Sequence, residues 1–297
     1  MNNSTFKLAL IQTKGNCHEE EKFVKLQDRI LQAAMQGAQV IVLPELVFTD
    51  YFCIEEDSKH FDLAHAIDSE QMQTLSQLAR ERAIVLVVPF FEKRAAGLYH
   101  NSAAVFDADG SLLGNYRKMH IPDDPGFYEK YYFTPGDLGF KSFQTRYGKI
   151  GVLICWDQWF PEAARLTAMQ GCDLIVYPTA IGYDDRETAG LNVEEAKALN
   201  SKWREAWVTM QRSHAIANGL YVAAVNRVGQ EGHLRFWGSS FICDPGGEIL
   251  DNLDDTREGL LIHDIETSEV ENHRRVWPFL RDRRIDGYSD LVKRFSV

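Results

Sequence analysis

The octapeptides GAQVIVLP (37–44) and GCDLIVYP (171–178) are nearly the same phrase written twice. Each opens with a glycine, which suits the end of a preceding helix, and then runs apolar on both side-chain parities. An exposed strand alternates instead, so each phrase reads as a strand covered on both faces. The neighbouring elements recur in the same order. Residues 6–11 form a strand, answered by 149–154. Phe23, Leu26, Ile30, Leu31 and Ala34 follow at helical spacing, and Ser69 caps a second helix with Met72, Leu75, Leu78 and Ala79 on one face. Its counterpart spans 203–218, with Trp207, Met210 and His214 on one stripe and Gly219 at its end. A strand follows each of these helices (84–88 and 220–225), then a hairpin turning at DADG (107–110) or DPGG (244–247).

Two halves of one topology, about 5–118 and 148–252, each give a sheet with helices on one face. Burying the two bare faces together makes an α/β fold of four layers, α-β-β-α, with residues 1–297 as a single domain. Two segments stand outside the repeat. Residues 180–202, IGYDDRETAGLNVEEAKALNSKW, are polar and acidic, as a loop over a site would be. The tail, about 265–297, mixes Arg with Trp, Phe and Tyr. That mixture suits either a homo-oligomer contact or a tail lying on its own subunit.

Composition removes several classes of partner. With 32 basic against 43 acidic residues and a formal net charge of −11, neither nucleic acid nor an anionic membrane is expected. No segment is long and apolar enough to span a bilayer. The start, MNNSTFKLALIQTKG, has no signal-like core, and five cysteines without a Cys-x-x-Cys pair suit a reducing, cytoplasmic setting. The histidines lack zinc spacing, so no metal or other cofactor is expected.

The chemistry gathers around 149–165, KIGVLICWDQWFPEAAR. A buried strand stops at Cys155, and Pro161 opens a helix, so the thiol sits on a sharp strand-to-helix connection like a nucleophile elbow. A small buried hydrophobe is the other reading of a lone cysteine. Glu45 follows IVLP at the end of its strand, as a general base or a solvated terminus. Lys118 closes a hairpin strand, as an oxyanion donor or a surface lysine. Glu129, within GFYEKYYF, is a desolvated acid or a loop residue. His120 and His214 offer a rival cysteine–histidine pair, with His214 better suited to the core.

Three motifs in order decide among these: LPE (43–45), YRKMHIP (116–122) and ICWDQWFPE (154–162). With them, nearly the whole chain resembles the nitrilase superfamily of carbon–nitrogen hydrolases. The resemblance implies Glu45 as general base, Lys118 as oxyanion stabiliser and Cys155 as nucleophile. It further implies Glu129 as a second glutamate positioning Lys118 or substrate. HIPDDPGFYEKYYFTPGD (120–137), residues 143–165 and YPTAIG (177–182) look like the N-carbamoylputrescine amidohydrolase branch. A small cationic ureido substrate is then expected, with the Trp156 backbone N–H on the oxyanion and Tyr51 lining the pocket. Asp184 is the first choice for the substrate ammonium, with Asp185 and Glu187 behind it. An N-carbamoyl-amino-acid hydrolase or an ω-amidase is the runner-up. A non-catalytic homologue and a thiol redox sensor are the readings from other classes.

Overall fold

In a computed structural model the described residues are 5–15 and 19–296. The first half runs β1 (Thr5–Gln12), α1 (Glu19–Met35), β2 (Val40–Val42), α2 (Glu70–Arg82), β3 (Val85–Ala95), β4 (Leu98–Phe106) and β5 (Leu112–Arg117). A one-turn helix, α3 (Glu129–Tyr132), and a short strand, β6 (Lys141–Gln144), lead into the second half. That half contains β7 (Lys149–Val152), α4 (Pro161–Ala168), β8 (Leu174–Thr179), β9 (Gly182–Asp184), α5 (Val193–Asn218) and β10 (Tyr221–Asn226). It continues through β11 (Val228–Glu231), β12 (Leu234–Trp237), β13 (Phe241–Cys243) and β14 (Ile249–Asn252), and the chain ends with β15 (Gly259–Glu266), α6 (Thr267–Val276) and short turns.

Two six-stranded sheets result, ordered β15-β1-β2-β3-β4-β5 and β6-β7-β8-β10-β13-β14. Read this way β1-β2-β3-β4-β5 and β7-β8-β10-β13-β14 match in order, as the repeat requires, and β15 and β6, from outside the repeat, each add an edge strand. In each, three strands run parallel and the outer neighbours are antiparallel. Strand parity explains why the repeated phrases do not alternate. Leu8 and Leu10 of β1, with Val40 and Val42 of β2, face Ile150, Val152, Leu174 and Val176 of the other sheet. Ala9, Ile11, Ile41 and Leu43 face the opposite way, onto Leu26, Ile30, Ala33, Met72 and Leu75 of α1 and α2. On the second sheet α4 lies over β7 and β8, and α5 over β10. The arrangement is the four-layer α-β-β-α sandwich.

Three features depart from the sequence reading. The segment 180–202 is not one loop: it holds β9, a turn, and the first turns of α5, which begins at Val193. Asn192 caps that helix, its side chain accepting from Glu195 N at 3.0 Å while the Glu195 carboxylate accepts from Asn192 N at 3.2 Å. A third, three-stranded sheet, β11-β12-β9, appears beside the second half. Finally β15, in a stretch with no predicted strand, pairs along the whole of β1. In the tail, Trp277, Phe279 and Ile285 remain exposed.

Candidate active site

Two strand ends meet where the sheets face each other, and each end has an unusual backbone. β2 gives way to Leu43–Pro44–Glu45, after which Leu46 takes φ +50°. β7 gives way to a 3-10 turn, Cys155–Trp159, whose first residue takes φ +41°. Left-handed backbone at a non-glycine residue is costly and is retained where the surroundings over-determine it. At Cys155 it turns the thiol out of the strand direction.

Lys118 follows β5 directly, and Glu129 opens α3. The Lys118 ammonium donates to Glu45 Oε1 at 2.8 Å and to Glu129 Oε2 at 2.7 Å. Asn101, on β4, donates to the same two oxygens at 2.7 and 3.3 Å. The Tyr51 hydroxyl donates to Glu129 Oε1 at 2.9 Å. Glu45 Oε2 is buried and has no hydrogen-bond partner among the described residues. The four charged or reactive groups are almost fully shielded, Cys155 being the most exposed at 5%.

Shielding sets their protonation. Burial disfavours the Lys118 ammonium, yet Glu129 and Glu45, with the Cys155 sulfur, hold its pKa well above the ordinary lysine value. Burial raises the Glu129 carboxyl above its usual range against the pull of Lys118, and Glu45 adds to the rise. Burial and then Glu45 push the Cys155 thiol well up, with Lys118 only partly offsetting them. The resting site thus holds an ammonium and a protonated thiol. Such a thiol needs a base at the moment of attack.

Buried polar side chains tie the nucleophile turn to its surroundings. Asp157 accepts from Ile154 N at 3.0 Å, from the Tyr116 hydroxyl at 2.7 Å, and from His120 N at 3.0 Å. Tyr116 belongs to β5, so this carboxylate joins the strand before Lys118 to the turn bearing Cys155. Gln158 Oε1 accepts from Trp207 and Gln211 of α5 at 2.7 and 2.8 Å. Both rival histidines are engaged elsewhere. His120 Nδ1 lies 2.8 Å from Asp157 and its ring stacks on Phe160, while His214 Nε2 meets the Gln158 carbonyl at 2.7 Å.

Above Cys155 opens a cavity of about 430 Å³. Its wall includes Trp156, Trp159, Trp203 and Trp237, and the acids Asp124, Glu129, Asp184 and Glu187. Neither lysine nor arginine is among the described residues of that wall. Asp184 reaches the cavity but is already bridged: its carboxylate accepts from Arg186 Nε at 2.9 Å and lies 3.6 Å from His233. Those partners hold its pKa below the usual value although burial alone would raise it. Asp185 turns away to Gln230 and Arg235. Tyr51, expected on the pocket wall, sits one layer behind it, since Glu129 claims its hydroxyl and Phe127 and Phe236 flank its ring. Among the described residues no group of acids, histidines and cysteines is placed to hold a metal ion, and no helix is long and apolar enough to cross a membrane.

A model of the carbon–nitrogen hydrolase family matches residues 7–275. The chain belongs to that family. This carbon–nitrogen hydrolase, a nitrilase-superfamily member acting on amides, is 41% identical over 297 residues to a citrullinase of Francisella tularensis, covering 98% of this chain and all of the relative. It is 41% identical over 279 residues to an N-carbamoylputrescine amidase of Solanum lycopersicum, covering 91% and 89%. The solved carbon–nitrogen hydrolase of Helicobacter pylori superposes with a TM-score of 0.92 at 45% identity, covering 98% of this chain and all of that one.

Sequence reading missed several residues of the hydrolase's site. Asn101 lies in the polar run HNS of a buried strand that is apolar from Ala103 to Phe106, and a buried polar run of this kind is itself a signal. Asp157 gave none beyond its place in the nucleophile motif. Arg227 and Glu231, described below, sit in NRVGQE, which reads as an ordinary polar turn.

Proposed function

We propose that this hydrolase removes the carbamoyl group from N-carbamoylputrescine, giving putrescine, ammonia and carbon dioxide. The observation that carries the reading is the cavity wall, with four carboxyl groups, four indoles and no basic side chain among its described residues. An alkyl ammonium gains there from the acids and from the indole faces. The likeness to the Solanum enzyme agrees with it.

In the proposed reaction Glu45 Oε2 takes the Cys155 proton as sulfur bonds to the ureido carbon. The carbonyl electron pair moves to oxygen, which receives hydrogen bonds from Lys118 and from the Trp156 backbone N–H. That N–H stands at the start of a helical turn, where early donors lack partners in the turn. A preorganised donor of this kind contributes ~3 kcal/mol. The pair then returns, one carbon–nitrogen bond breaks, and Glu45 gives its proton to the departing nitrogen. Cys155 is left carrying a thiocarbamate. Water loses a proton to Glu45 and adds to it, the carbon–sulfur bond breaks, and sulfur regains the proton. The carbamic acid released falls to carbon dioxide and the second amine. Glu129 keeps Lys118 aimed throughout. Asp184 seats the far ammonium in competition with Arg186, helped by Glu187 and Asp124.

One observation favours citrulline as a second reading. It too is a ureide, and Asp184 on the cavity wall is paired with Arg186, which lies off that wall but close enough to offer a base to an amino-acid zwitterion. The full-length likeness to the Francisella citrullinase adds to this. Ammonia release from N-carbamoylputrescine, citrulline, an N-carbamoyl amino acid and a simple ω-amide tests both. A kcat/KM preference for the first upholds the polyamine reading. A preference for citrulline moves the substrate assignment to the Asp184–Arg186 pair, and no release from any of them removes the reaction.

The same proposal has the protein working in the cytoplasm, consistent with the free, buried thiols of Cys53, Cys155, Cys172 and Cys243. It also has the protein working as a homo-oligomer through the exposed tail around Trp277. Sedimentation at a monomer's mass would refute the second point.

A further inference from the structure

The loop that carries Glu45 contains an ion pair from the other half of the chain. Arg227 follows β10 directly, and Glu231 ends β11; both are 3% exposed. Arg227 NH1 donates to Glu231 Oε1 and Oε2, each at 2.9 Å. The rest of the guanidinium is spent on backbone carbonyls of the first half: Nε on Glu45 O at 3.1 Å, and NH2 on Leu46 O and Thr49 O, each at 2.6 Å. Glu231 completes the set by accepting from Tyr51 N at 2.6 Å. Four backbone groups of residues 45–51 therefore end on two side chains. The segment they hold includes Leu46 with its left-handed backbone, and Tyr51, whose hydroxyl fixes Glu129. Gly15 also passes so close to the Glu231 carboxylate that any side chain there would collide with it.

We infer that the Arg227–Glu231 pair positions the Glu45 loop of the first half against the Cys155 turn of the second, and that catalysis depends on it. Neither side chain lies on the cavity wall, so their action is through Glu45 and not on substrate. A guanidinium suits the task because its fork serves three carbonyls and a carboxylate at once, which an ammonium cannot do. Without that fork the shielded carbonyls of Glu45 and Thr49 lose their donor, Leu46 O is left with Thr49 N at 3.2 Å, and the cost of Leu46's conformation is less firmly opposed. The loop would then relax, carrying the base away from sulfur. This inference rests on Glu45 acting as the base for Cys155.

The test uses the full-length enzyme and the variants Arg227→Lys, Glu231→Gln, Glu45→Gln and Glu45→Gln/Glu231→Gln. Alkylation of Cys155 by uncharged iodoacetamide is followed by peptide mass, beside kcat, KM and thermal melting. Arg227→Lys keeps the charge and loses the fork; Glu231→Gln keeps an acceptor for Tyr51 N. Each is expected to lower kcat and the alkylation rate about 10- to 100-fold with KM within about twofold, since small misplacements of a reacting group cost that much. In the Glu45→Gln background, Glu231→Gln is expected to add nothing, because the group it positions is already gone. Full activity of Arg227→Lys would overturn the inference. So would equal losses from Glu231→Gln in both backgrounds, or unfolding of both single variants, either of which assigns the pair to stability alone. If Glu45→Gln by itself leaves alkylation unchanged, the base assignment fails first and the positioning role fails with it.

Discussion

The floor of the cavity and its mouth are built on opposite principles. On the floor, Glu45, Lys118, Glu129 and Cys155 come from strand ends and a short helix in both halves, are shielded from water, and are bonded to one another or to buried neighbours. At the mouth, Asp124 and Glu187 are exposed, and Asp184 is bonded to Arg186 two residues on. Charges interact strongly where the surroundings exclude water, whereas exposed ones are screened by water and salt. The floor is thus a closed network suited to one type of reaction, and the mouth is a more open set of charges on which substrate preference is expected to depend.

The sharpest break of this contrast is at sulfur. Cys155→Ala is expected to remove ammonia release by a factor of ~10⁴ or more while leaving the protein folded. Comparing Cys155→Gly with Cys155→Ala isolates the backbone at that point. With φ at +41°, glycine is expected to melt higher, by about 1 kcal/mol, because alanine meets the left-handed penalty and glycine does not. Equal melting points would mean that the turn relaxes once the thiol is gone.

Next comes Glu45→Gln, expected to lower kcat by roughly 10²- to 10⁴-fold. Its pH dependence is the stronger check. Burial, the largest cause of the raised thiol pKa, persists in this variant although the Glu45 contribution is gone, so without a base only the thiolate reacts. Alkylation of Cys155 in this variant should climb about tenfold per pH unit past pH 9, whereas in the native enzyme it proceeds at neutral pH. Similar profiles for the two would remove Glu45 as the base.

The mouth should respond an order of magnitude less. Asp184→Asn and Glu187→Gln are expected to raise KM for N-carbamoylputrescine by about three- to tenfold with kcat unchanged, and added salt should shrink the difference. An unchanged KM in Asp184→Asn would leave that carboxylate as Arg186's partner only. Smallest of all, Asn192→Ala removes the cap of α5, whose Trp203 lies on the cavity wall. About 1 kcal/mol of stability should be lost in a thermal melt, with kcat on a small amide unaffected.

The floor was legible in the sequence, whereas at the mouth the acids Asp184 and Glu187 were legible and the elements that carry them were not, for the same physical reason that separates the two regions. Glu45 and Cys155 each follow an apolar run that must be a buried strand, so their placement at strand ends follows from patterning. Lys118 at the close of a hairpin does too. Residues 180–202 have no such run. Their polar composition hid β9 and the first turns of α5, although Asn192 with Glu195 three residues on is a readable helix start. Asn101 and Asp157 were overlooked because a buried polar residue shows its purpose only through the partner it meets, and those partners lie far along the chain. Tyr51 was placed one layer too far forward because nothing local shows that Glu129 would take its hydroxyl.

By itself the sequence determined the repeat, the two double-faced sheets with their helices, and the strand ends where the reactive groups stand, because periodicity and turn chemistry are local properties. Tertiary structure alone decided that β15 would return to pair with β1, that Tyr116 and Asp157 would join the lysine's strand to the nucleophile's turn, and that Arg227 would reach across to the loop of Glu45. Each of these joins residues remote in the chain. Their partners are selected by which buried donors and acceptors lack a mate once the two sheets have closed on each other.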